Sequence, residues 1–346
     1  MSLKLTKKSF SNSFDKLKEI YTIYAPKRSP KQGRFCDTDI IKYDVINSSD
    51  EIVFNEKSNY AAKEVLSPIT ETLFYFTDNE YRAKKIAKKP ILMFVRACDI
   101  NAIKRFDDIY LKNGGFVDSF YAGIRENISF ALMECPSKGW DTCFCASMKS
   151  NIVNDDEYIF GIQLGEEIKV DIKDPSLTEI FDGSQITYHV PVVEENLISV
   201  KIPMISNKDV QAKVKDLDLW KEYDKRCIKC GSCTIACSTC TCYTSYDMSY
   251  TPDSNAGERR RINASCHIDG YTDMAGGHSF RPSAGERLRF KTMHKIHDHA
   301  KRFGGEHMCV GCGRCSDHCP AFISFSTLVN KLSVEVDKLN EEDING

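Results

Sequence analysis

The sequence predicts an α+β protein with two domains, a mixed α/β domain over residues 1–205 and an α-helical domain over residues 206–346. Short apolar runs typical of buried strands, and apolar residues at helical spacing, predict the first domain. The distribution of cysteine predicts the second, because eleven of the 16 cysteines follow residue 206 and eight of these form two regular runs. A chain of 346 residues is also long enough for two cores, since single cores stop growing at about 250–300 residues.

The first domain opens with a predicted amphipathic helix that ends at Pro26. Its apolar face repeats at helical steps: Phe10, Phe14, Leu17, Tyr21 and Tyr24. The apolar runs 91–95 and 128–133 predict buried strands, with a helix over about 101–110 after the first. Alternating apolar residues over 160–172, on both sides of a Gly-Glu pair, predict a β-hairpin.

The second domain is predicted to be helical outside its cysteine runs. A connecting helix covers about 207–223, and Asn207 is a suitable N-terminal cap for it. Another helix over 293–303, ended by two glycines, lies between the runs, and a third forms the tail over 324–340.

Two cysteine runs with the same spacing identify the chemistry of this domain. They are Cys227, Cys230, Cys233 and Cys237, and Cys309, Cys312, Cys315 and Cys319 followed by Pro320. This is the bacterial ferredoxin spacing, in which each [4Fe–4S] cluster takes three cysteines of one run and the fourth cysteine of the other. We therefore expect one cluster on Cys227, Cys230, Cys233 and Cys319, and a second on Cys309, Cys312, Cys315 and Cys237.

The two runs start 82 residues apart, farther than in compact bacterial ferredoxins. This distance favours an α-helical ferredoxin-type domain, in which helices separate the runs. The alternative is structural zinc, which needs four ligands and usually takes two separated cysteine pairs. Two runs of four cysteines favour iron–sulfur clusters over zinc.

The other eight cysteines form two groups and one single residue. Cys98, Cys135, Cys143 and Cys145 follow predicted strands or lie in a loop of the first domain, so they could hold a third [4Fe–4S] cluster or could simply pack as buried thiols. Cys240, Cys242 and Cys266 could bind a further group, but the favoured interpretation is packing around the clusters. Cys36 stands alone and is expected to be inert.

Basic residues outnumber acidic ones between residues 257 and 305, ten to five. They include Arg259, Arg260 and Arg261, whose charges could raise the reduction potential of nearby anionic clusters or bind an acidic partner. For any single arginine the alternative is an ordinary solvated helix surface.

Composition and missing motifs limit the function further. The net charge of −2 predicts no general attraction to nucleic acid or an anionic membrane, and the longest apolar run, 91–95, is far too short to cross a bilayer. The amino end shows no signal peptide, so we expect a cytoplasmic protein, and its dependence on oxygen-sensitive clusters suggests anaerobic life. The sequence has no dinucleotide fingerprint, phosphate-binding loop, sirohaem-binding cysteine pair or haem attachment site. We therefore predict an electron carrier with no catalytic residues of its own.

Several stretches, most of them outside the two cysteine runs, carry a resemblance to known proteins: GRFCDTD (33–39), PITETLFYF (68–76), RACDI (96–100), CFCASM (143–148), GERRR (257–261), DMAGGH (273–278) and HMCVGCGRC (307–315). These stretches resemble the iron–sulfur electron-transfer subunit of the three-subunit anaerobic sulfite reductase, and more distantly the iron–sulfur β subunits of cytosolic NiFe sulfhydrogenases. The resemblance implies electron transfer from an NADH-oxidising subunit with flavin and [2Fe–2S] to a sirohaem subunit that reduces sulfite to sulfide. Ser238 stands where that family usually has proline, which loosens a turn but removes no ligand.

Three interpretations follow. The leading one is the electron-transfer subunit of an anaerobic sulfite reductase complex. The first alternative is the iron–sulfur β subunit of a cytosolic NiFe hydrogenase or sulfhydrogenase, and the second is a zinc-binding structural scaffold.

Overall fold

The computed structural model describes residues 1–86, 89–252 and 255–345. The strands in these residues are β1 (Ser2–Leu5), β2 (Thr22–Ser29), β3 (Ile40–Val45), β4 (Thr70–Phe76), β5 (Tyr81–Ala83), β6 (Ile91–Val95), β7 (Ile128–Met133), β8 (Phe160–Gln163), β9 (Ile168–Ile172), β10 (Ser184–Ile186), β11 (Tyr243–Ser249) and β12 (Gly257–Asn263). The helices are α1 (Lys7–Ile20), α2 (Ala97–Leu111), α3 (Ser119–Arg125), α4 (Lys208–Lys213), α5 (Leu219–Arg226), α6 (Ser232–Ile235), α7 (Ala284–Met293), α8 (His299–Phe303), α9 (Arg314–Asp317) and α10 (Phe325–Asn345). The mixed α and β composition is confirmed.

A large mixed sheet is the centre of the first part of the chain. Its strands lie in the order β10-β1-β9-β8-β7-β6-β2-β3. The central strands β2, β6, β7 and β8 are parallel, and the outer pairs are antiparallel. The predicted strands 91–95 and 128–133 are confirmed as neighbours, and the predicted hairpin is the β8–β9 pair. Parallel strands bring their carboxyl ends to one edge, where ligand sites commonly form.

Two apolar layers cover this sheet. One contains Phe10, Phe14 and Leu17 of α1 together with Leu92 and Phe94 of β6. The other contains side chains of α2 and α3 and the opposite face of β6 and β7. Strands covered on both faces have continuously apolar sequences, which is why these strands could be recognised.

The predicted opening helix is too long. It ends at Ile20, and Tyr24 and Pro26 belong to β2 instead. The parallel pairing of β2 with β6 covers only Thr22 to Tyr24, so Pro26 falls outside it and its missing N–H removes no hydrogen bond from that pair. The spacing of the apolar residues up to Tyr24 fits a helix, but this segment forms a strand because it pairs with β6.

A second sheet is formed by strands from both sides of the predicted boundary at residue 205. Its order is β11-β12-β4-β5, all antiparallel, so strands that precede residue 205 pair with strands that follow it. The hairpin β11–β12 lies between the cysteine runs, and the expectation of helices alone in that interval is wrong. Strand β12 of this hairpin pairs with β4, which belongs to a distant segment of the chain. Local sequence patterns cannot reveal such a pairing. The domain boundary near residue 205 stays a prediction.

Helices α4, α5, α7 and α10 pack into a separate apolar cluster. Asn207 caps α4 as predicted, with its side-chain oxygen accepting from the amides of Asp209 and Val210 at 2.9 Å each. The predicted connecting helix breaks after Val214–Asp216 and restarts as α5. The predicted helices before the two glycines and at the tail are present, the first running from α7 through the π-helical turn His294–Asp298 into α8.

Candidate iron–sulfur site

The two cysteine runs have nearly the same backbone conformation. The residue before the second cysteine has a left-handed φ in both, 59° at Lys229 and 62° at Gly311. The residue after it does so too, 75° at Gly231 and 72° at Gly313. Each of these glycines begins a short helix, α6 or α9, that carries the third cysteine. The repeated spacing in the sequence therefore corresponds to a repeated loop, a conformation in which glycine is favoured.

The first cavity, called here the outer cavity, brings together the first predicted ligand set. Its walls include Cys227, Cys230, Cys233 and Cys319, together with Ile228, His267, Leu288 and Lys291. Cys230 is exposed, and the other three cysteines are half-buried. The fourth thiol, Cys319, comes from the second run, as the ferredoxin pattern requires.

The second cavity, the inner cavity, brings together the other set. Its walls include Cys309, Cys312, Cys315 and Cys237, together with Phe144, Ser238, Thr239, Lys291 and Lys295. Cys312 is buried, and the other three cysteines are half-buried. Lys291, Cys315 and Phe325 line both cavities, so the two are immediate neighbours.

The groups around these cysteines suit an anionic cluster. A backbone N–H donates to a cysteine sulfur at each end of the second run, from Gly311 to Cys309 at 3.4 Å and from Ile323 to Cys319 at 3.3 Å. Hydrogen bonds of this kind stabilise negative charge on cluster sulfur. Four thiols, apolar walls and N–H donors together are the surroundings that a [4Fe–4S] cluster needs.

Two buried lysines supply positive charge, and sequence reasoning missed both. Lys291 and Lys295 are each 5% exposed, and the salt bridges among the described residues include neither. Burial opposes their charge, but the thiolates of Cys233, Cys315 and Cys237 hold the pKa of Lys291 above its usual value. A buried ammonium without a carboxylate partner is costly unless another anion compensates it. In the sequence Leu288, Lys291 and Lys295 follow one another at helical steps, but that spacing alone does not distinguish buried lysines from solvated ones.

The same lysines act on the inner-cavity thiol Cys237. Burial raises the pKa of this thiol, but Lys295, Lys291 and Lys63 outweigh burial, and the net effect is a lowered pKa. The ε-ammonium of Lys295 also donates to the backbone and side-chain oxygens of Thr239, at 2.8 and 3.0 Å. Cys237 is therefore favoured as a thiolate, the form that binds metal.

The three consecutive arginines line neither cavity, and their possible effect on the clusters stays a prediction. They lie on β12, and the lining residues of both cavities omit them. Arg259 pairs with Asp247 at 2.6 Å, Arg260 with Glu258 at 2.6 Å, and Arg261 with Glu71 and Asp118. Carboxylates thus already neutralise them.

A buried network fixes the second cysteine run to the first part of the chain. The guanidinium of Arg314 donates to Asp99 at 2.9 Å, to the hydroxyl of Ser58 at 2.8 Å and to the hydroxyl of Ser238 at 3.0 Å. Ser238 also contacts the sulfur of Cys312 at 3.2 Å. Ser238 therefore holds a hydrogen-bonding position beside the inner cavity.

The remaining cysteines occupy three different places. The thiol of Cys242 hydrogen-bonds to the thiols of Cys240 and Cys266, with Lys295 close by. Three of the four first-domain cysteines, Cys98, Cys135 and Cys145, line a separate cavity, and Cys143 stands next to Cys135 and Cys145 outside its lining. Cys36 is exposed.

His267 is a further buried group at the outer cavity. It lines the outer cavity with 1% of its surface exposed, and neither ring nitrogen has a partner among the described residues. Burial, with Lys291 and Arg287 nearby, lowers its pKa to about 3, so the ring is neutral. A neutral imidazole carries one N–H that can point to cluster sulfur.

Comparison with known proteins agrees with this geometry. Residues 226–323 match the model of the 4Fe-4S dicluster domain, which supports the predicted two [4Fe–4S] clusters. Over 345 residues the chain is 29% identical to sulfhydrogenase 2 subunit beta of Pyrococcus furiosus, covering 95% of this chain and 98% of that protein. Over 147 residues it is 22% identical to the F420-dependent formate dehydrogenase subunit beta of Methanocaldococcus jannaschii, covering 42% of this chain and 30% of that protein.

Within the described part of the chain, no helix combines the length and the apolar character needed to cross a bilayer.

The cluster domain and the two relatives together indicate what kind of protein this is. It is an iron–sulfur electron-transfer protein that holds two [4Fe–4S] clusters and is related to the β subunits of a sulfhydrogenase and a formate dehydrogenase.

Proposed function

We propose that this chain is the iron–sulfur β subunit of a hydrogenase complex of the sulfhydrogenase kind, and that it carries electrons between a NiFe protein and a flavoprotein that exchanges them with a pyridine nucleotide. The proposal gives Cys227, Cys230, Cys233 and Cys319 to one cluster, and Cys309, Cys312, Cys315 and Cys237 to the other. When bound, each cluster supplies a site that accepts and releases one electron.

The observation that carries this proposal is the pair of adjoining cavities. Because Lys291 and Cys315 line both, nothing thicker than a side chain separates the two sites. Cys230 brings the outer site to the surface, whereas Cys312 is buried. The chain thus holds one site where a partner can approach and a second site directly behind it.

The similarity over nearly the full length of both chains favours the hydrogenase over the sulfite reductase. It extends well beyond the cysteine runs, which many ferredoxin domains share. The sulfite reductase complex remains the second candidate because of the stretches such as residues 33–39, 68–76 and 143–148 that resemble that family.

Anaerobic purification of the complex through a tag on this chain separates the candidates. We expect a NiFe protein and a flavoprotein to accompany it, and hydrogen to reduce a pyridine nucleotide. A sirohaem partner with NADH-dependent sulfite reduction would replace the hydrogenase proposal by the sulfite reductase one. Zinc without iron or acid-labile sulfide would support the scaffold and reject both.

The same complex tests the relay itself. Cys312→Ala should abolish hydrogen-dependent pyridine nucleotide reduction, while hydrogen uptake with a dye that accepts electrons directly from the NiFe protein continues. Cys36→Ser is the matched control, because this thiol is exposed and lines neither cavity. Full pyridine nucleotide reduction by the Cys312→Ala complex would contradict the relay.

A further inference from the structure

Four cysteines of the first part of the chain meet at the carboxyl edge of the large sheet. Cys98 lies in the first turn of α2, just after β6, and Cys135 follows the neighbouring parallel strand β7. Cys143 and Cys145 come from the loop that continues from Cys135. Residues that follow adjacent parallel strands share one edge, which is where ligands bind in such sheets.

These thiols surround a cavity of about 360 Å³. Cys98, Cys135 and Cys145 line it, with apolar walls that include Leu132, Val153 and Val193. The walls also include the polar residues Asn151, Asp155 and His189, and the three thiols border an open space large enough for a bound group.

A buried cation without a full set of partners lies beside this cavity. Arg96 is 4% exposed, and its Nη1 has no hydrogen-bond partner among the described residues. Arg96 acts electrostatically on Cys135 and lines with it a second small cavity. A buried guanidinium with an unpaired N–H is costly, and a thiolate or cluster sulfide beside Cys135 would satisfy it.

We propose that Cys98, Cys135, Cys143 and Cys145 hold a third [4Fe–4S] cluster in this cavity. Cys143 now directs its sulfur to the carbonyl of Cys312 at 3.7 Å, so its side chain must turn to become the fourth ligand. No three His, Cys, Asp or Glu side chains in the described ranges are close enough to hold a single metal ion. A cubane does not need that closeness, because each thiolate binds a different iron.

The third site directly adjoins the inner cavity. Phe144, between the two loop cysteines, lines the inner cavity, and its amide donates to the carbonyl of Gly311 at 2.8 Å. Cys98 packs against Val310 and Cys312 of the second run. The three clusters therefore lie in the order outer, inner, third, and one electron moves at each step. This role in the relay rests on the proposed function, whereas the presence of the third cluster does not.

Iron and acid-labile sulfide counting on the anaerobically purified full chain tests the proposal. We expect about twelve iron atoms and twelve sulfides per chain, four of each per cluster. Cys98→Ser, Cys135→Ser and Cys145→Ser should each lose about a third of both, whereas Cys36→Ser should lose none. Electron paramagnetic resonance of the reduced variants should retain the signals of the other two clusters, which also shows that the variants fold.

The possible results are distinct. About eight irons in the native chain, unchanged in the three variants, would reject the third cluster and leave the two-cluster relay intact. Fewer than about eight would instead contradict the proposed function. A single extra metal ion, lost in the variants without loss of sulfide, would identify a mononuclear site and reject the cubane.

Discussion

The outer and inner cavities have the same cysteine pattern but different surroundings. At the outer one the second cysteine, Cys230, is exposed, and the residue that follows its glycine is the half-buried Ser232. At the inner one the corresponding residues are the buried Cys312 and Arg314, and Arg314 is tied to Asp99 and Ser58. Duplicated ligand loops can therefore serve one site open to a partner and one site enclosed by the protein.

The largest expected difference between the two loops is in stability. Arg314→Met leaves Asp99 buried without its cation, and removing one partner of a buried ion pair typically costs about 3–5 kcal/mol. The corresponding outer variant, Ser232→Ala, should change stability by less than about 1 kcal/mol. Anaerobic thermal unfolding followed by circular dichroism measures both, and equal effects would show that the two loops are equally anchored.

The second difference concerns loss of iron. Because Cys230 is exposed, a mild oxidant with a chelator should remove the outer cluster first, about four irons, before the inner one. Iron release and electron paramagnetic resonance follow the two phases. A single phase in which all clusters disappear together would mean that burial gives the inner cavity no protection.

The third difference is in reduction potential. Lys291 lines both cavities and Lys295 only the inner one, so Lys291→Met should lower both potentials and Lys295→Met only that of the inner cluster. One charge at roughly 8 Å and an effective dielectric constant of about 20 contributes about 2 kcal/mol, or roughly 90 mV for one electron. Redox titration followed by electron paramagnetic resonance resolves the potentials of the two clusters. Unchanged potentials in both variants would show that the lysines do not set them.

The smallest expected effect comes from Ser238. Its hydroxyl contacts Cys312 at 3.2 Å, whereas the corresponding position after the second run is Pro320, which has no hydroxyl. Loss of one hydrogen bond of about 1 kcal/mol in Ser238→Ala should lower the inner potential by roughly 40 mV. The outer potential serves as the internal reference, and an equal shift in both would point to a general change in structure.

Prediction from sequence succeeded where the signal is local. Strands β6 and β7 were recognised because strands buried on both faces are continuously apolar. The cap at Asn207 was recognised because its side chain bonds to amides two and three residues away. Prediction of secondary structure failed at Tyr24 and Pro26 and at the β11–β12 hairpin. In both places the strand that pairs with the segment lies elsewhere in the chain.

In the candidate site too, the sequence identified some features and not others. Cysteine spacing identified the cluster chemistry, because a cubane needs thiolates at separations that the runs repeat. Spacing could not identify Lys291 or Lys295, because a lysine at helical spacing from a leucine is ordinarily solvated at the edge of an apolar face. Their role depends on burial.

By itself the sequence determined the type of cofactor and its duplication, since a ferredoxin-type cluster takes three of its cysteines from one run at short, fixed intervals. Only the tertiary structure decided which site reaches the surface, which cations face the thiols, and that the first-domain cysteines adjoin the inner cavity through Phe144. The reason is that exposure and electrostatic environment depend on segments far apart in the chain, and these come together only when the whole chain packs.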